Sequence, residues 1–332
     1  MKKIFYIALA IISLWSCRKE TVTFDGPSIK EMYSNFSMLE NFKSSKDSVS
    51  FANGEYILFT AKFNKMVNWK ITVTGQTSHA KKEITGLTNA IDGSNGLWDG
   101  STTYFPMFKA ENCRAELTIE GVPDTFIVTT KIKSVKVNTG LVIADFENGF
   151  NPLWTKFIQS GANMDFKIKT DTLAPQGDDY LNMAGTVDWD WLIGLIDYPA
   201  AAYGSGKTMP LPTNPGNVYF NCLIYGVPNT NESHVLFQFK EDENADGTIT
   251  ASSDDQYDLE VIVNWVGWKL VTVKYADLPC LNNGQPVTPN GNGQHNPDKI
   301  GKISMLHLAD PKNGFASCKI DYLIFTDTPL KP

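Results

Sequence analysis

The chain has 332 residues, of which 42% are apolar, 12% aromatic and 20% charged, with a net charge of -7 at pH 7. That length can bury the cores of two ordinary domains, while the acidic balance argues against nucleic acid or an anionic lipid surface as partner. The 19 Phe, 12 Tyr and 8 Trp combine large buried area with a preference for strands, so an all-β chain is the first expectation.

At the start, Lys2 and Lys3 precede an apolar run over residues 4–12, and Leu14-Trp-Ser-Cys17 closes it with a small residue directly before cysteine. The run is too short to span a bilayer as a mature helix, so residues 1–16 read as a cleaved signal peptide. This ending resembles the lipobox of bacterial lipoproteins, although Trp15 is an unusual filler. The resemblance implies a thioether-linked diacylglycerol on Cys17 as the first mature residue. Arg18 and Lys19 follow with no aspartate at the second position, a pattern that in such lipoproteins is compatible with sorting to the outer membrane. A lipid-anchored outer-membrane location, with the cell surface as the expected face, follows from that resemblance; membrane contact is through the anchor only. Without residues 1–16 the charge falls to -9, because Lys2 and Lys3 are lost. Residues 17–28 read as a polar tether.

Residues 29–135 contain short segments of period two: Tyr56–Phe63, Trp69–Thr74, Ala115–Glu120 and Thr125–Ile132. Turn signals at Asn53-Gly54, Asp92-Gly93, Asn95-Gly96 and Asp99-Gly100 separate them, giving a sandwich of about a hundred residues. Residues 134–141 read as a junction. A second domain over 142–327 then supplies Val142–Glu147, Asp165–Lys169, Thr186–Ile196, Val218–Tyr225, Ser233–Lys240, Asp258–Trp265, Trp268–Tyr275, Lys302–Leu308 and Lys319–Phe325. Val235, Phe237 and Phe239 share one face, as do Leu259, Val261, Val263 and Trp265, the pattern of two packed sheets with a jelly-roll connection. Pro210–Asn217 and Gln285–Pro297 read as long surface loops. Cys113, Cys222, Cys280 and Cys318 are irregularly spaced, and two fall within apolar strand patterns, so buried thiols are expected rather than a disulfide framework.

Three segments carry a further resemblance: Ile143-Ala-Asp-Phe-Glu147, Gly267-Trp-Lys-Leu-Val-Thr-Val273 followed by Ala276-Asp-Leu278, and Lys319-Ile-Asp-Tyr-Leu-Ile-Phe325. Together they resemble the galactose-binding-like jelly rolls of carbohydrate-binding modules over about residues 142–327. Trp69-Lys-Ile-Thr-Val73, Ile84-Thr-Gly86 and Trp98-Asp-Gly-Ser101 look like the immunoglobulin-like spacers of extracellular bacterial proteins. The layout is similar to surface glycan-binding lipoproteins of Gram-negative polysaccharide-utilisation systems. That resemblance implies a polysaccharide or oligosaccharide ligand, and outer-membrane glycan-uptake proteins as partners.

Two calcium sites are expectations. Asp242-Glu-Asn-Ala-Asp-Gly-Thr-Ile249 places side-chain oxygens on Asp242, Asn244 and Asp246, glycine at the sixth position and an apolar residue at the eighth, as in an EF-hand loop. Its twelfth position is Ser253, but Asp254 and Asp255 follow directly; a calcium hairpin with Asp254 competes evenly with a solvated acidic turn. In the jelly rolls that the chain resembles, a structural calcium often lies where first and last strands meet, which implies Glu147 and Asp321 as ligands, with Asp145 less strongly placed.

For the ligand itself, Thr186-Val-Asp-Trp-Asp-Trp-Leu192 puts Trp189 and Trp191 on one strand face, with Asp188 and Asp190 on the other. Exposed, the indoles would form a platform for the C–H faces of sugars while the carboxylates accept hydroxyl hydrogen bonds; the alternative places both in the core. Tyr198 and Tyr203 follow in a loop that would flank such a groove. Trp265 and Trp268 have the pattern of packing residues. Gly204-Ser-Gly-Lys-Thr208 lacks the earlier glycine and following helix of a phosphate loop. His79, His234, His295 and His307 are scattered and no Gly-x-Ser-x-Gly occurs, so no catalytic constellation is expected. The reading is a non-catalytic glycan-binding lipoprotein; a jelly-roll glycanase or lyase, and a protein-binding adhesin, are its rivals.

Overall fold

The computed structural model describes residues 35–187, 191–228, 232–310 and 314–331; the expected signal peptide, Cys17 and the tether lie outside them. The chain is all-β, its strands joined by turns and single 3-10 turns. The first seven strands are β1 (Met38–Ser44), β2 (Ser48–Ser50), β3 (Ile57–Gly75), β4 (Lys81–Ile91), β5 (Leu97–Trp98), β6 (Asn112–Ile119) and β7 (Thr125–Ser134). They run in the order β1-β3-β6-β7-β2, with β4 and β5 also on β3, and only the β2–β7 pairing is parallel. The two strands expected at Tyr56–Phe63 and Trp69–Thr74 are one 19-residue strand. Odd-numbered residues face inward in both halves, from Ile57, Phe59 and Phe63 to Trp69, Ile71 and Val73. A register shift against β4 between Lys62 and Val67 absorbs the polar interruption. Aromatic rings fill the core: Phe51 and Phe108 meet Trp98 edge-on at 4.9 Å.

The second set comprises β8 (Leu141–Ala144), β9 (Thr155–Ile158), β10 (Asn163–Thr170), β11 (Asp179–Thr186), β12 (Leu192–Pro199), β13 (Tyr219–Gly226), β14 (Glu232–Glu241), β15 (Gln256–Val263), β16 (Gly267–Lys274), the short pair β17 (Leu281–Asn282) and β18 (Gln285–Pro286), β19 (Ile300–Asp310) and β20 (Phe315–Thr326). One sheet has the order β10-β11-β20-β13-β16 with β8 on β20, and the other β15-β14-β19-β12-β9. From β12 onward the chain passes back and forth between the sheets, the mark of a jelly roll. Thr186–Ile196 is therefore not one strand: Thr186 ends β11 in one sheet, and Leu192 opens β12 in the other. Phe220 of β13 meets Phe237 and Phe239 of β14 at 4.9 and 5.0 Å, binding the sheets through a dry aromatic centre. All four described cysteines are free thiols. Between the two sets of strands, Phe105 and Met107 pack against Tyr322, Ile324 and Leu330, and Lys109 pairs with Asp178 at 2.6 Å.

The inner face of β19 holds one titratable group. Burial pulls the His307 imidazole down to about 3, so the fold keeps it neutral, whereas the unfolded chain protonates it near about pH 6.5. Below that value the unfolded state binds the extra proton, so this contribution is intact above about pH 6.5 and is lost as pH falls toward 3. Against a His307→Gln variant, the wild type is expected to lose stability on acidification faster by as much as about 1.4 kcal/mol per pH unit. Urea unfolding across that range checks it; parallel curves for the two proteins would contradict it.

Candidate functional site

The outer face of the five-stranded sheet carries the site. On β14, Val235, Phe237 and Phe239 are wholly buried, so strand alternation turns His234, Leu236, Gln238 and Lys240 outward. Register extends these into rows: Leu236 lies between Glu260 and Leu306, Gln238 between Asp258 and Ser304, and Lys240 between Gln256 and Lys302. From His234 to Lys240 the face runs about 20 Å. A cleft of about 680 Å³ occupies it, with Trp191, Leu192, Leu236 and Leu308 as apolar lining and Gln238, Gln256, Glu260 and Asn282 as polar lining. A second cleft of about 470 Å³ shares Gln256, Leu281 and Asn282 and continues to Lys240 and Lys302.

One wall is the β17–β18 hairpin, and Asp258 fixes it. Its Oδ2 accepts the Leu281 N–H at 2.8 Å and its Oδ1 the Gln256 amide at 2.9 Å, while its own N–H donates to Pro279 O. Asp258 is 1% exposed, and burial lifts its pKa above the ordinary carboxylate value. Glu260, the other acid of the groove, lies 2.8 Å from His234 Nδ1. Both acids are thus engaged in fixed contacts, one of them out of solvent. The face alternates alkyl and indole surface with amides and a carboxylate, a lining that can pack on sugar C–H faces and bond hydroxyls.

Of the residues expected to bind glycan, Trp191 is 45% exposed and lines the groove, just ahead of β12. Asp188, Trp189 and Asp190 lie outside the described residues. Tyr198 is a correction: it points into the core, fully buried, with Trp154 edge-on at 4.9 Å, because its parity on β12 matches Ile196. Tyr203 is another, since its hydroxyl accepts from Trp154 Nε1 and donates to Ile143 O, tying loop to strand. Trp265 and Trp268 are half-buried packing residues, as their pattern implies. The signal for the groove was present in the outward residues of β14 and β15, but an outward polar face is the default of any sandwich.

The EF-hand-like turn uses its oxygens on itself. Asp242 accepts the N–H groups of Asp246 and Gly247 at 3.1 and 2.7 Å, Asn244 Oδ1 that of Asp246, and Asp246 Oδ1 that of Thr248. Asp254 accepts those of Glu243 and Thr250. These hydrogen bonds close the turn through its own side chains. At the other expected calcium site, Asp321 is fully buried and its Oδ1 accepts the Tyr322 N–H at 2.7 Å. Its Oδ2 and Gln176 Oε1 are buried without a donor. Burial, reinforced by the Glu147 and Asp145 carboxylates, pushes Asp321 well above the ordinary range. Glu147 accepts the N–H groups of Asp178 and Asp179, each at 2.9 Å, and a Cβ at Gly177, φ +56°, would collide with its carboxylate. Orphaned hard oxygens are the donor type that a calcium ion takes; Gln176 was not singled out in the sequence.

No family model matches the chain, and no curated protein matches it. Among solved structures, the chain is similar to a family 11 carbohydrate-binding module from Clostridium thermocellum in complex with a β-1,3-1,4-mixed-linked tetrasaccharide, at 16% identity and TM-score 0.40, over 59% of this chain and 99% of that one. It is similar to SGBP-B from a complex xyloglucan utilization locus in Bacteroides uniformis, at 11% identity and TM-score 0.36, over 88% and 73%. A structure from work on the promiscuous specificity of β-sandwich carbohydrate-binding modules gives 12% identity and TM-score 0.38, over 87% and 97%.

Proposed function

We propose that this protein is a non-catalytic, cell-surface lipoprotein that holds a neutral polysaccharide or oligosaccharide in the groove on β12, β14, β15 and β19. The observation that carries this reading is the outer face itself, where Trp191 and leucines alternate with Gln238, Gln256, Glu260 and Asn282 beneath a wall pinned by Asp258. A calcium ion held by Glu147, Asp321 and Gln176 would supply positive charge that fixes the joint of first and last strands. Affinity electrophoresis of the protein through gels containing plant, algal and fungal polysaccharides tests the binding. Retardation by at least one glycan without its depolymerisation is expected; free migration in every gel by folded protein, or release of reducing ends, would contradict it.

The anchor is tested separately. Cys17→Ser is expected to shift the protein from the membrane fraction to the soluble fraction of cells and to abolish metabolic labelling with palmitate, because a lipidated chain partitions by its acyl groups. Retention of both label and membrane association by the variant would refute lipidation at Cys17.

A further inference from the structure

At the edge of the second cleft, which Asp255 lines, lies a group of three acids. Glu241 ends β14 and Asp255 precedes β15, joined by a bond from Glu241 N–H to Asp255 O at 2.9 Å, and Glu243 follows on the same hairpin. One carboxylate oxygen from each of the three lies within 4.8 Å of the others. Four of their six oxygens accept hydrogen bonds from the chain around them. Glu241 Oε1 accepts from Tyr275 Oη and Asn296 N–H, both at 2.7 Å. Asp255 accepts from the N–H groups of Gly291 and Gly293 at 2.5 and 2.7 Å. Glu243 Oε2 accepts from Lys299 Nζ at 2.7 Å and Asn292 Nδ2 at 2.6 Å.

Independently of that clustering, Glu241 is 0% exposed, and its Oε2 has no donor. Glu243 Oε1 and the hydroxyl of Tyr257 are likewise buried without a partner. Burial and the adjacent Glu243 carboxylate push Glu241 above the ordinary carboxylate range. Three carboxylates face one lysine, and acids buried together in this way are ordinarily paired, protonated or bound to metal. The donors are all hard oxygens, with neither imidazole nor thiolate among the three carboxylates, a set that suits calcium rather than zinc.

We propose that Glu241, Glu243 and Asp255 form a calcium site at the β14–β15 hairpin, on the same carboxylates that accept hydrogen bonds from the 291–296 loop. It is separate from the Glu147–Asp321 locus and from the EF-hand-like turn. Because Asp255 itself lines the second cleft, as does Asn290 next to that loop, the ion would fix one end of the groove.

The test is calorimetric titration of metal-stripped protein with calcium chloride, with magnesium chloride as comparison, alongside thermal melting in the same solutions. Glu241→Gln and Glu243→Gln are each expected to weaken one calcium site by at least about tenfold, whereas Asp321→Asn and Asp246→Asn leave that site intact. The Glu243 side chain is 11% exposed, so its variant keeps the test open should Glu241→Gln fold poorly. In chelator, Glu241→Gln is expected to melt no lower than wild type, since it removes one member of a mutually repelling buried pair, and calcium should raise the melting temperature of wild type but not through this site in the variant. If both glutamine variants bind calcium as wild type does, or if Asp321→Asn abolishes all calcium binding, the proposal fails and the carboxylates share a proton instead.

Discussion

Trp191→Ala is expected to weaken glycan binding by about 10–100-fold while leaving the melting temperature close to that of wild type. An indole at the end of the groove is the largest apolar surface offered to a ligand there, being 45% exposed and next to Leu192 and Leu308 in the lining. Truncating an anchor of this kind costs about 1.4–2.8 kcal/mol of binding free energy. Little core is disturbed, because the side chain already stands half in solvent. Calorimetric titration with an oligosaccharide of whichever glycan retards the protein reads the change. Equal affinity in the variant would mean that the indole is an edge of the sheet and no more. Tyr198→Phe supplies the contrast: its ring lies in the core, so affinity should be unchanged.

Phe220→Ala is expected to destabilise the second sandwich by about 3–5 kcal/mol. The ring is fully buried and touches Phe237, Phe239 and Phe325 at centroid distances of 4.9, 5.0 and 5.3 Å. It therefore joins two sheets at one point. Neighbours anchored in separate strands cannot collapse far into the cavity, which places the cost toward the upper part of that range. Urea unfolding followed by tryptophan fluorescence measures it. A loss below about 1 kcal/mol would show that the sheets repack around the gap. Phe237 and Phe239 alternate along β14 with Leu236 and Gln238, so the variant should also loosen the groove; comparison with Trp191→Ala separates a lost contact from a lost scaffold.

Much of this was readable before any coordinates. Alternation in Ser233–Lys240 located β14 and named its inward residues, because burial on one face imposes period two directly on the sequence, whereas β20 is buried along both faces and shows as a continuous apolar run. Lys81–Ile91 escaped notice, since β4 is largely half-buried or exposed on both faces and leaves no such imprint. The break between β11 and β12 was hidden for a related reason: Thr186–Ile196 alternates as a strand would, and composition does not say that the chain changes sheets there. Among the site residues, Trp191 was legible from its type and spacing. Tyr198 was misread because a tyrosine after a strand looks like a loop residue until the register of β12 fixes its parity. Glu241 and Glu243 were passed over because they fall between the ligand positions of the EF-hand-like pattern, and their approach to Asp255 depends on the register of the β14–β15 hairpin; Gln176 lies far in sequence from Asp321, so its place beside that acid left no local signal.

The measurement that bears most directly on the account is a crystal structure of the protein with an oligosaccharide of the retained glycan. A sugar ring stacked on Trp191, with hydroxyls bonded to Gln238, Gln256 or Glu260 on the outer face of the five-stranded sheet, is the expected result. A sugar seated elsewhere, with this groove filled only by solvent, would contradict it.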